Sequence, residues 1–225
     1  MSRTVSLIIN ARVRSTRVPN KMLRNFGTSC LLDIALNKLS QVATDCPKFL
    51  AAADEEIISL YQKYSDSIGF LQRHPDAVAP KQDISRQDLT FAHYKDVPTS
   101  HIMTINACCP FFNIDRIEHS LNHFLVNDFK TMTTVKKHSN IFFNEWGNPI
   151  NTITKVVASQ GNKDVLEMAH VFHIFDKEFF LKNGYFWNYS PGNPKLFEVS
   201  KEESLDIDEP LDFEICELLY SRVKI

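Results

Sequence analysis

The sequence begins with an apolar run that stops abruptly at a cluster of cations. Residues 5–10 read VSLIIN, and residues 11–21 read ARVRSTRVPNK, with three arginines and one lysine. An uninterrupted apolar run of this length is typical of a buried strand in a parallel sheet. The carboxyl ends of such strands form the ligand-binding edge of open α/β sheets. We therefore expect residues 11–21, called the basic loop below, to hold an anion such as a polyphosphate.

Strand-like and helix-like segments alternate through the first 135 residues. The N-terminal boundary of one helix is marked by Asn113, a suitable N-cap before Ile114, Ile117, Leu121 and Phe124. The alternation predicts a Rossmann-like, doubly wound and mostly parallel sheet. Predicted strands cover residues 5–10, 48–53, 68–71, 102–106 and 130–135, and predicted helices cover residues 31–43 and the stretch after residue 54.

The pattern changes after residue 139. Residues 139–194 are rich in asparagine, glycine and aromatic side chains, and we expect them to form a β-rich excursion from the sheet. A final helix is predicted over residues 211–223, with Leu211, Ile215, Leu218 and Leu219 facing inward. No linker or repeat interrupts the chain, so residues 1–225 are read as a single domain.

Composition excludes several classes of protein. The net charge of −2 argues against the basic surface that DNA-binding and RNA-binding proteins carry. No apolar run approaches the ~20 residues needed to cross a bilayer, and the N-terminus lacks a signal-peptide cleavage pattern. Five cysteines, an odd number without metal-ligand spacing, indicate reduced thiols in a cytoplasmic protein.

The basic loop offers several groups that suit phosphate. Arg12 and Arg17 can form bidentate contacts, Lys21 can supply a mobile point charge, and Ser15 can supply a hydroxyl. The main chain near Ala11 can add N–H donors. The alternative is that this loop is only a solvated basic turn.

A pair of acidic residues near the C-terminus complements the basic loop. Residues 205–213 read LDIDEPLDF. If this stretch is extended, Asp206 and Asp208 point to the same face, where a cation would relieve their repulsion. Mg²⁺ favours one or two carboxylates together with substrate phosphates. The alternative is that Asp208 caps the last helix and Asp206 is exposed, whereas Asp212 suits the first turn of that helix.

Three further positions are weaker candidates. Asn106 follows a predicted strand and either binds a polar substrate or closes a turn. Arg73 follows another strand and could contact a nucleotide. His170 and His173 lie in a predicted strand, where residues three apart face opposite sides, so a metal site there is not expected.

These motifs together resemble the acylneuraminate cytidylyltransferase family, the CMP-sugar synthetases that activate acidic sugars, with related enzymes acting on the octulosonate KDO. The basic loop resembles that family's A-R-x-x-S-x-R-x-P-x-K loop, and residues 206–213 resemble its D-I-D-x-P-x-D-F motif. Residues 53–57 and 72–75 resemble its S-T-D-D-E-x-I and R-R-P segments. The motifs occur in the same order as in that family, and together they span nearly the whole chain.

The resemblance implies a function. It implies CTP as nucleotide donor, Mg²⁺ as cofactor, an acidic 2-keto sugar as acceptor, and a homodimer with a swapped arm within residues 139–194. By position, Arg12, Ser15 and Lys21 would hold the CTP phosphates and Arg73 would lie near the nucleotide. Asp206 and Asp208 would bind Mg²⁺, and Asn106 would meet the sugar.

The sequence departs from the family on the acceptor side. The family's T-S-P-L-R appears as residues 108–112, CCPFF, which lack its arginine and hydroxyls. Its N-G-A-x-Y segment appears as residues 168–172, MAHVF. The acceptor is therefore left open between a nonulosonate and a KDO-like or other polar acid. A catalytically inactive nucleotide-binding relative is the alternative from a different class.

Overall fold

Residues 5–10 form a strand inside a seven-stranded sheet, as their apolar character predicts. The computed structural model describes residues 3–78, 87–152 and 162–222. The strands are β1 (Val5–Asn10), β2 (Asn25–Phe26), β3 (Ser29–Cys30), β4 (Lys48–Ala52), β5 (Gly69–Gln72), β6 (His101–Ile105), β7 (Met132–His138), β8 (Val165–Asp176) and β9 (Lys195–Glu198).

The helices follow the strands in the expected alternation. They are α1 (Leu31–Gln41), α2 (Glu55–Tyr61), α3 (Gln87–Thr90), α4 (Ile114–Val126), α5 (Lys177–Asn183) and α6 (Pro210–Tyr220). Asn113 caps α4, its side chain accepting a hydrogen bond from the Arg116 amide, as predicted.

The order of the large sheet is β5-β4-β1-β6-β8-β7-β9, while β2 and β3 form a separate small ribbon. The strands β5, β4, β1 and β6 are mutually parallel, and β8 runs antiparallel to both of its neighbours. β9 is again parallel to β7. This is the mostly parallel α/β sheet that the sequence predicts. It places the carboxyl ends of β4, β1 and β6 at one edge.

Both faces of the sheet are buried. Alternating residues of β1 show this, because Leu7 and Ile9 belong to one apolar cluster and Ile8 belongs to the other. The first cluster is covered by α1, α2, α4 and α6. The second is smaller and is covered by Tyr94 and by Phe180 of α5. Burial of both faces explains why β1 is apolar at nearly every position.

The C-terminal helix corrects one prediction. Leu211, Ile215, Leu218 and Leu219 face solvent rather than the core, with 64, 44, 54 and 38% of their surface exposed. The inward face of α6 is formed by Phe213 and Cys216, which are buried. Phe213 packs edge-on against Phe26. Because most of α6 is apolar, its periodicity fits two different faces and does not identify the buried one.

The β-rich excursion predicted over residues 139–194 also contains fewer residues than expected. The second half of β8 pairs with β6 within the main sheet, and residues 177–183 form α5. The outer half of β8 pairs with the end of β7. Between them, residues 139–152 extend beyond the sheet, and part of the predicted arm, residues 153–161, lies outside the described residues. Within the described ranges, no helix has the length and apolar character needed to cross a bilayer.

Candidate active site

The candidate site residues gather at the carboxyl edge of the parallel strands. The basic loop follows β1, Arg73 follows β5, and Asn106 follows β6. The acidic segment, residues 205–208, reaches the same edge just before α6. The topology therefore joins motifs that are nearly the full length of the chain apart.

The basic loop is held in a defined conformation. The Val13 amide donates to Asp54 Oδ2 at 3.1 Å, and the Val18 amide donates to Ser15 Oγ at 3.4 Å. Val18 is buried and anchors the loop to the core. Asp54 occupies the N-cap position of α2, but its carboxylate serves the loop instead of the helix end. Ser15 thus shapes the loop, while Asp54 is a loop-holding residue that the sequence did not identify.

Lys21 connects the basic loop to the acidic segment. Its Nζ donates to the Ile207 carbonyl oxygen at 2.6 Å and lies 3.3 Å from Asp208 Oδ1. Burial acts to lower the pKa of Lys21, but Cys108 and the carboxylates of Asp208 and Asp206 outweigh it and raise that pKa. Lys21 is therefore a charged ammonium, and it lies where the two motifs meet.

The acidic segment presents its two carboxylates as the alternation predicts. Ile207 is fully buried, and its amide donates to the Cys108 carbonyl oxygen at 3.1 Å. Asp208 is half exposed and pairs with Arg17 at 2.8 Å. The N-cap of α6 is Glu209, not Asp208, and Asp212 completes the capping box from the first turn of the helix. Asp208 is thus free of the capping role that the alternative reading gave it.

Asp206 is the most perturbed carboxylate of the site. Its Oδ2 accepts a hydrogen bond from Asn106 Nδ2 at 3.1 Å, whereas Oδ1 is buried without a hydrogen-bond partner. Burial first, and then the charge of Asp208, raise the pKa of Asp206, while Lys21 acts in the opposite direction. A buried anion without a partner is costly unless a cation meets it.

The donor set suits a magnesium ion. Asp206 offers one unpartnered carboxylate oxygen, and Asp208 offers a carboxylate that pairs with Arg17 and Lys21. Within the described residues, no cluster of three or more histidine, cysteine, aspartate or glutamate side chains could hold a metal by itself. Two carboxylates completed by substrate phosphates are the usual arrangement for Mg²⁺.

Asn106 is held at both ends of its side chain. Its Oδ1 accepts from the Cys108 amide at 2.9 Å while its Nδ2 donates to Asp206. Its backbone amide donates to the Val171 carbonyl oxygen at 2.9 Å, which ties this turn to β8. Asn106 therefore closes the turn and positions Asp206 at the same time.

Arg73 lies beneath the basic loop, with only 5% of its surface exposed. Its guanidinium donates to the Ala11 carbonyl oxygen at 3.2 Å, and its Nε has no hydrogen-bond partner in the described residues. Burial and the neighbouring charge of Arg12 lower the pKa of Arg73. Two guanidinium groups close enough to repel each other make this end of the loop attractive to an anion.

Two groups of side chains near the site were not identified from the sequence. Asn10, at the end of β1, bonds His93 Nε2 at 2.8 Å and donates to the Tyr94 hydroxyl at 3.0 Å. Burial, assisted by the charge of Arg73, lowers the pKa of His93 to about 3. Lys38 of α1 donates to the carbonyl oxygens of Pro110 and Phe112 and so supports residues 106–112 from below. In the sequence, the sign of the group around Asn10 was Asn10 itself, a polar residue at the end of an apolar run.

The two histidines of β8 correct a further prediction. His170 and His173 do not face opposite sides, because His170 Nδ1 lies 3.2 Å from His173 Nε2. Between Thr133 and Val135 the register of β7 with β8 shifts, and His170 has a φ of 50°. We call residues 169–172 the β8 bulge. The bulge breaks the period-two alternation on which the prediction depended.

Comparison with known proteins identifies the family. A family model described as "Cytidylyltransferase" matches residues 6–220. A sequence comparison with curated proteins gives no significant match. The fold is similar to that of a CMP:2-keto-3-deoxy-manno-octonic acid synthetase complexed with CTP, at 13% identity and a TM-score of 0.65, over 97% of this chain and 99% of that one.

Two other solved structures share the fold. A 4-diphosphocytidyl-2C-methyl-D-erythritol synthase from Anaerococcus prevotii matches at 16% identity and a TM-score of 0.66, over 98% of this chain and 97% of that one. A cytidylyltransferase from Leptospira borgpetersenii matches at 16% identity and a TM-score of 0.61, over 99% and 89% of the two chains. With the family match covering almost the entire sequence, this chain belongs to the cytidylyltransferase family.

Proposed function

We propose that this protein transfers CMP from CTP to an acidic 2-keto sugar and releases pyrophosphate. One observation carries the proposal: Lys21 of the basic loop hydrogen-bonds the backbone of Ile207, between the two carboxylates of the acidic segment. The cation that we propose to bind phosphate and the carboxylates that we propose to bind metal thereby lie next to each other. The solved relative that was complexed with CTP supports the choice of nucleotide.

The basic loop would bind the triphosphate. Lys21 and Arg12 would neutralise charge that builds up on the phosphates in the transition state, which is often the largest contribution to phosphoryl-type transfer. Ser15 and the main chain at Ala11 would contribute hydrogen bonds. Arg17, which is half exposed and paired with Asp208, would move from the carboxylate to a phosphate when the nucleotide arrives.

Asp206 and Asp208 would hold Mg²⁺. When bound, the ion supplies charge neutralisation and a template for the two reactants. The orphaned Oδ1 of Asp206 and the ion-paired Asp208 are the ligands that this chain offers. Asn106 fixes the rotamer of Asp206 through its hydrogen bond to Oδ2.

The reaction would proceed by in-line displacement. The anomeric hydroxyl of the acceptor attacks the α-phosphorus of CTP and loses its proton to solvent, the new O–P bond forms, and the bond to the pyrophosphate oxygen breaks. Arg73 would lie near the nucleotide, because it supports the Ala11 carbonyl from beneath the loop. The acceptor would enter on the opposite side of Asp206, next to Asn106.

The acceptor is proposed to be a nonulosonate, with a KDO-like acid as the second candidate. The D-I-D-x-P-x-D-F resemblance favours the first, and the shared fold with the octonic acid synthetase favours the second. The test is incubation with CTP, Mg²⁺ and a set of nonulosonic and octulosonic acids, with mass detection of CMP conjugates. CTP binding without pyrophosphate release from any acid would instead indicate an inactive nucleotide-binding relative.

We also propose that the protein is a homodimer. Phe143, Trp146 and Ile150 lie in the described part of the 139–194 segment and expose 61, 77 and 60% of their surface. Apolar side chains grouped in this way are typical of a surface that a partner covers. Sedimentation of the wild-type protein and of Trp146→Ser tests this, because only a dimer built through this segment would be weakened by the substitution.

A further inference from the structure

We propose that His170 is a specificity-determining contact for the acceptor, and this inference rests on the proposed function. Its outer ring nitrogen would hydrogen-bond a polar oxygen of the acid, while its inner nitrogen is held by the protein. The argument combines the position of the β8 bulge, the strain that the bulge stores, and the hydrogen bonds that fix the imidazole.

The sheet order places His170 on the acceptor side of Asp206. From β1, which carries the basic loop, the next strand is β6, which carries Asn106, and the one beyond it is β8. Adjacent strands are about 4.8 Å apart, so the bulge lies roughly 10 Å from the loop that would hold the triphosphate. The nucleotide and the bulge therefore occupy opposite sides of Asn106.

The bulge is nevertheless tied directly to the site. The Asn106 amide donates to the Val171 carbonyl oxygen at 2.9 Å, one residue from His170. Asn106 in turn donates to Asp206. A single chain of contacts thus joins the proposed metal ligand to the histidine.

The backbone at His170 is strained, and the side chain of Thr134 stabilises this conformation. A φ of 50° is uncommon for a residue with a Cβ atom and is found disproportionately at functional sites. Thr134 fills the bulge, its hydroxyl accepting from the Val171 amide at 3.0 Å. The related family has a small residue in the corresponding N-G-A-x-Y segment, so a large ring here is a feature of this chain.

The ring of His170 is fixed by a buried partner. His170 Nδ1 contacts His173 Nε2 at 3.2 Å, and His173 Nδ1 contacts Thr133 Oγ1 at 2.8 Å. Burial lowers the pKa of His173 to about 3, so His173 is neutral and can act as donor or acceptor toward His170. Within the described residues, His170 Nε2 makes no hydrogen bond, and the side chain is exposed.

These observations favour recognition over a structural role. A histidine needed only to satisfy His173 would not have to be exposed or to adopt a left-handed backbone. A hydrogen-bond acceptor such as a sugar hydroxyl or a carboxylate oxygen fits an imidazole N–H. Residues 108–112, CCPFF, carry no cationic or hydroxyl side chain that could make this contact instead.

The test compares His170→Ala, His170→Gly and His170→Asn in the intact protein, with 2-keto-3-deoxy-octonic acid and N-acetylneuraminic acid as probes. For the better acceptor, we expect KM to rise about tenfold in the alanine and glycine variants, as loss of one hydrogen bond predicts. KM for CTP should stay within about twofold, and the asparagine variant should recover part of the loss. His119→Ala, on the exposed side of α4, is the matched control and should change neither constant.

The variant His170→Gly is the control for misfolding, because glycine adopts a positive φ without strain. The glycine variant should unfold within about 3 °C of the wild type. Unchanged acceptor KM in this folded variant would overturn the assignment of His170 while leaving the proposed function intact. If the wild-type protein itself forms no CMP conjugate with either acid, the proposed function fails, and the assignment of His170 fails with it.

Discussion

The two sides of Asp206 are built in different ways. On the side where we propose that CTP binds, called the nucleotide side below, the basic loop lies between β1 and β2, and its Lys21 contacts the acidic segment directly. On the side where we propose that the acceptor binds, called the acceptor side below, a turn after β6, a bulge in β8 and the half-buried Lys38 are joined by hydrogen bonds to backbone carbonyl oxygens. The nucleotide side depends on the identity of a few side chains within two short motifs. The acceptor side depends on the path of the backbone, which more than one sequence can follow.

This difference suggests how such a protein changes its acceptor. Residues 106–112 contact the nucleotide side through Asn106, which donates to Asp206, and through Cys108, which lies beside Lys21. Apart from these contacts, we expect the CMP-transferring chemistry and the choice of acceptor to be separable. The experiments below either break this separation or define it more sharply.

The largest effect is expected at the residue that both sides share. Asp206→Asn keeps the shape of the side chain but removes the charge that would hold Mg²⁺, so kcat should fall by about 10²–10³-fold. Since burial raises the pKa of Asp206, its charge costs stability, and the variant should unfold at the same or a higher temperature. Pyrophosphate release and thermal unfolding are the measurements, with the exposed Glu214→Gln as the control. Full activity of the variant would refute the assignment of Asp206.

The second experiment compares the two cations that contact Asp208. Lys21 has 14% of its side chain exposed and Arg17 has 54%. Lys21→Met should reduce kcat/KM for CTP by about 10²-fold, because it removes a desolvated charge from the phosphate site. Arg17→Met should reduce it only about threefold, as exposed ion pairs contribute little. Equal losses in steady-state kinetics would contradict the view that the inner cation dominates.

The third experiment uses one buried histidine from each side. His93 near the nucleotide loop and His173 behind the bulge both have a pKa lowered to about 3, in each case chiefly by burial. The unfolded chain titrates near 6.5, so between these values it binds more protons than the folded chain. Stability must therefore fall as pH drops, by about 2 kcal/mol per histidine between pH 7 and pH 5.

Glutamine replacements isolate these contributions. His93→Gln can retain the hydrogen bond to Asn10, and His173→Gln can retain the one to His170, but neither titrates. Each variant should therefore lose less stability than the wild type when denaturant unfolding is repeated at pH 5. If only one of the two variants weakens the dependence of the unfolding free energy on pH, then His93 and His173 differ in how deeply they are buried. The two sides would then differ in burial as well as in the path of the backbone.

The sequence predicted that the basic loop meets the acidic segment, but it did not predict the contacts around the β8 bulge, and the reason is physical. Lys21, Asp206 and Asp208 are charged groups at fixed spacings, and a cluster of charges has few explanations besides a ligand of opposite charge. The contact between His170 and His173 depends on a register shift against β7, and no local pattern encodes a bulge of that kind. Lys38 was not recognised either, because a lysine on an amphipathic helix normally faces solvent.

The fold was predictable where the periodicity of the apolar residues was consistent with only one buried face. Strand β1 has its predicted bounds, and helix α4 begins where it was predicted to begin, because an apolar run and a capping asparagine leave little choice. Helix α6 was correctly located but incorrectly oriented. Its apolar residues occur on two faces, and only the contact of Phe213 with Phe26, far away in the chain, selects the inner one.

The smallest effect is expected on the outer face of α6, the helix that directly follows the acidic segment. Leu218→Ser should change the free energy of unfolding by less than about 0.5 kcal/mol, because Leu218 is already 54% exposed. Phe213→Ala, by contrast, should cost about 3–5 kcal/mol, since Phe213 is fully buried. Urea denaturation of both variants measures the difference.

The same pair of variants tests how the nucleotide side is anchored. Because Phe213 packs against Phe26 just beyond the basic loop, its loss should loosen Asp208 relative to Lys21 and raise KM for CTP even under conditions where the variant is folded. Leu218→Ser should leave that KM unchanged. A large stability loss in Leu218→Ser would mean that the outer face of α6 is covered in solution, and the concentration dependence of its unfolding would then show whether a second copy of the chain covers it.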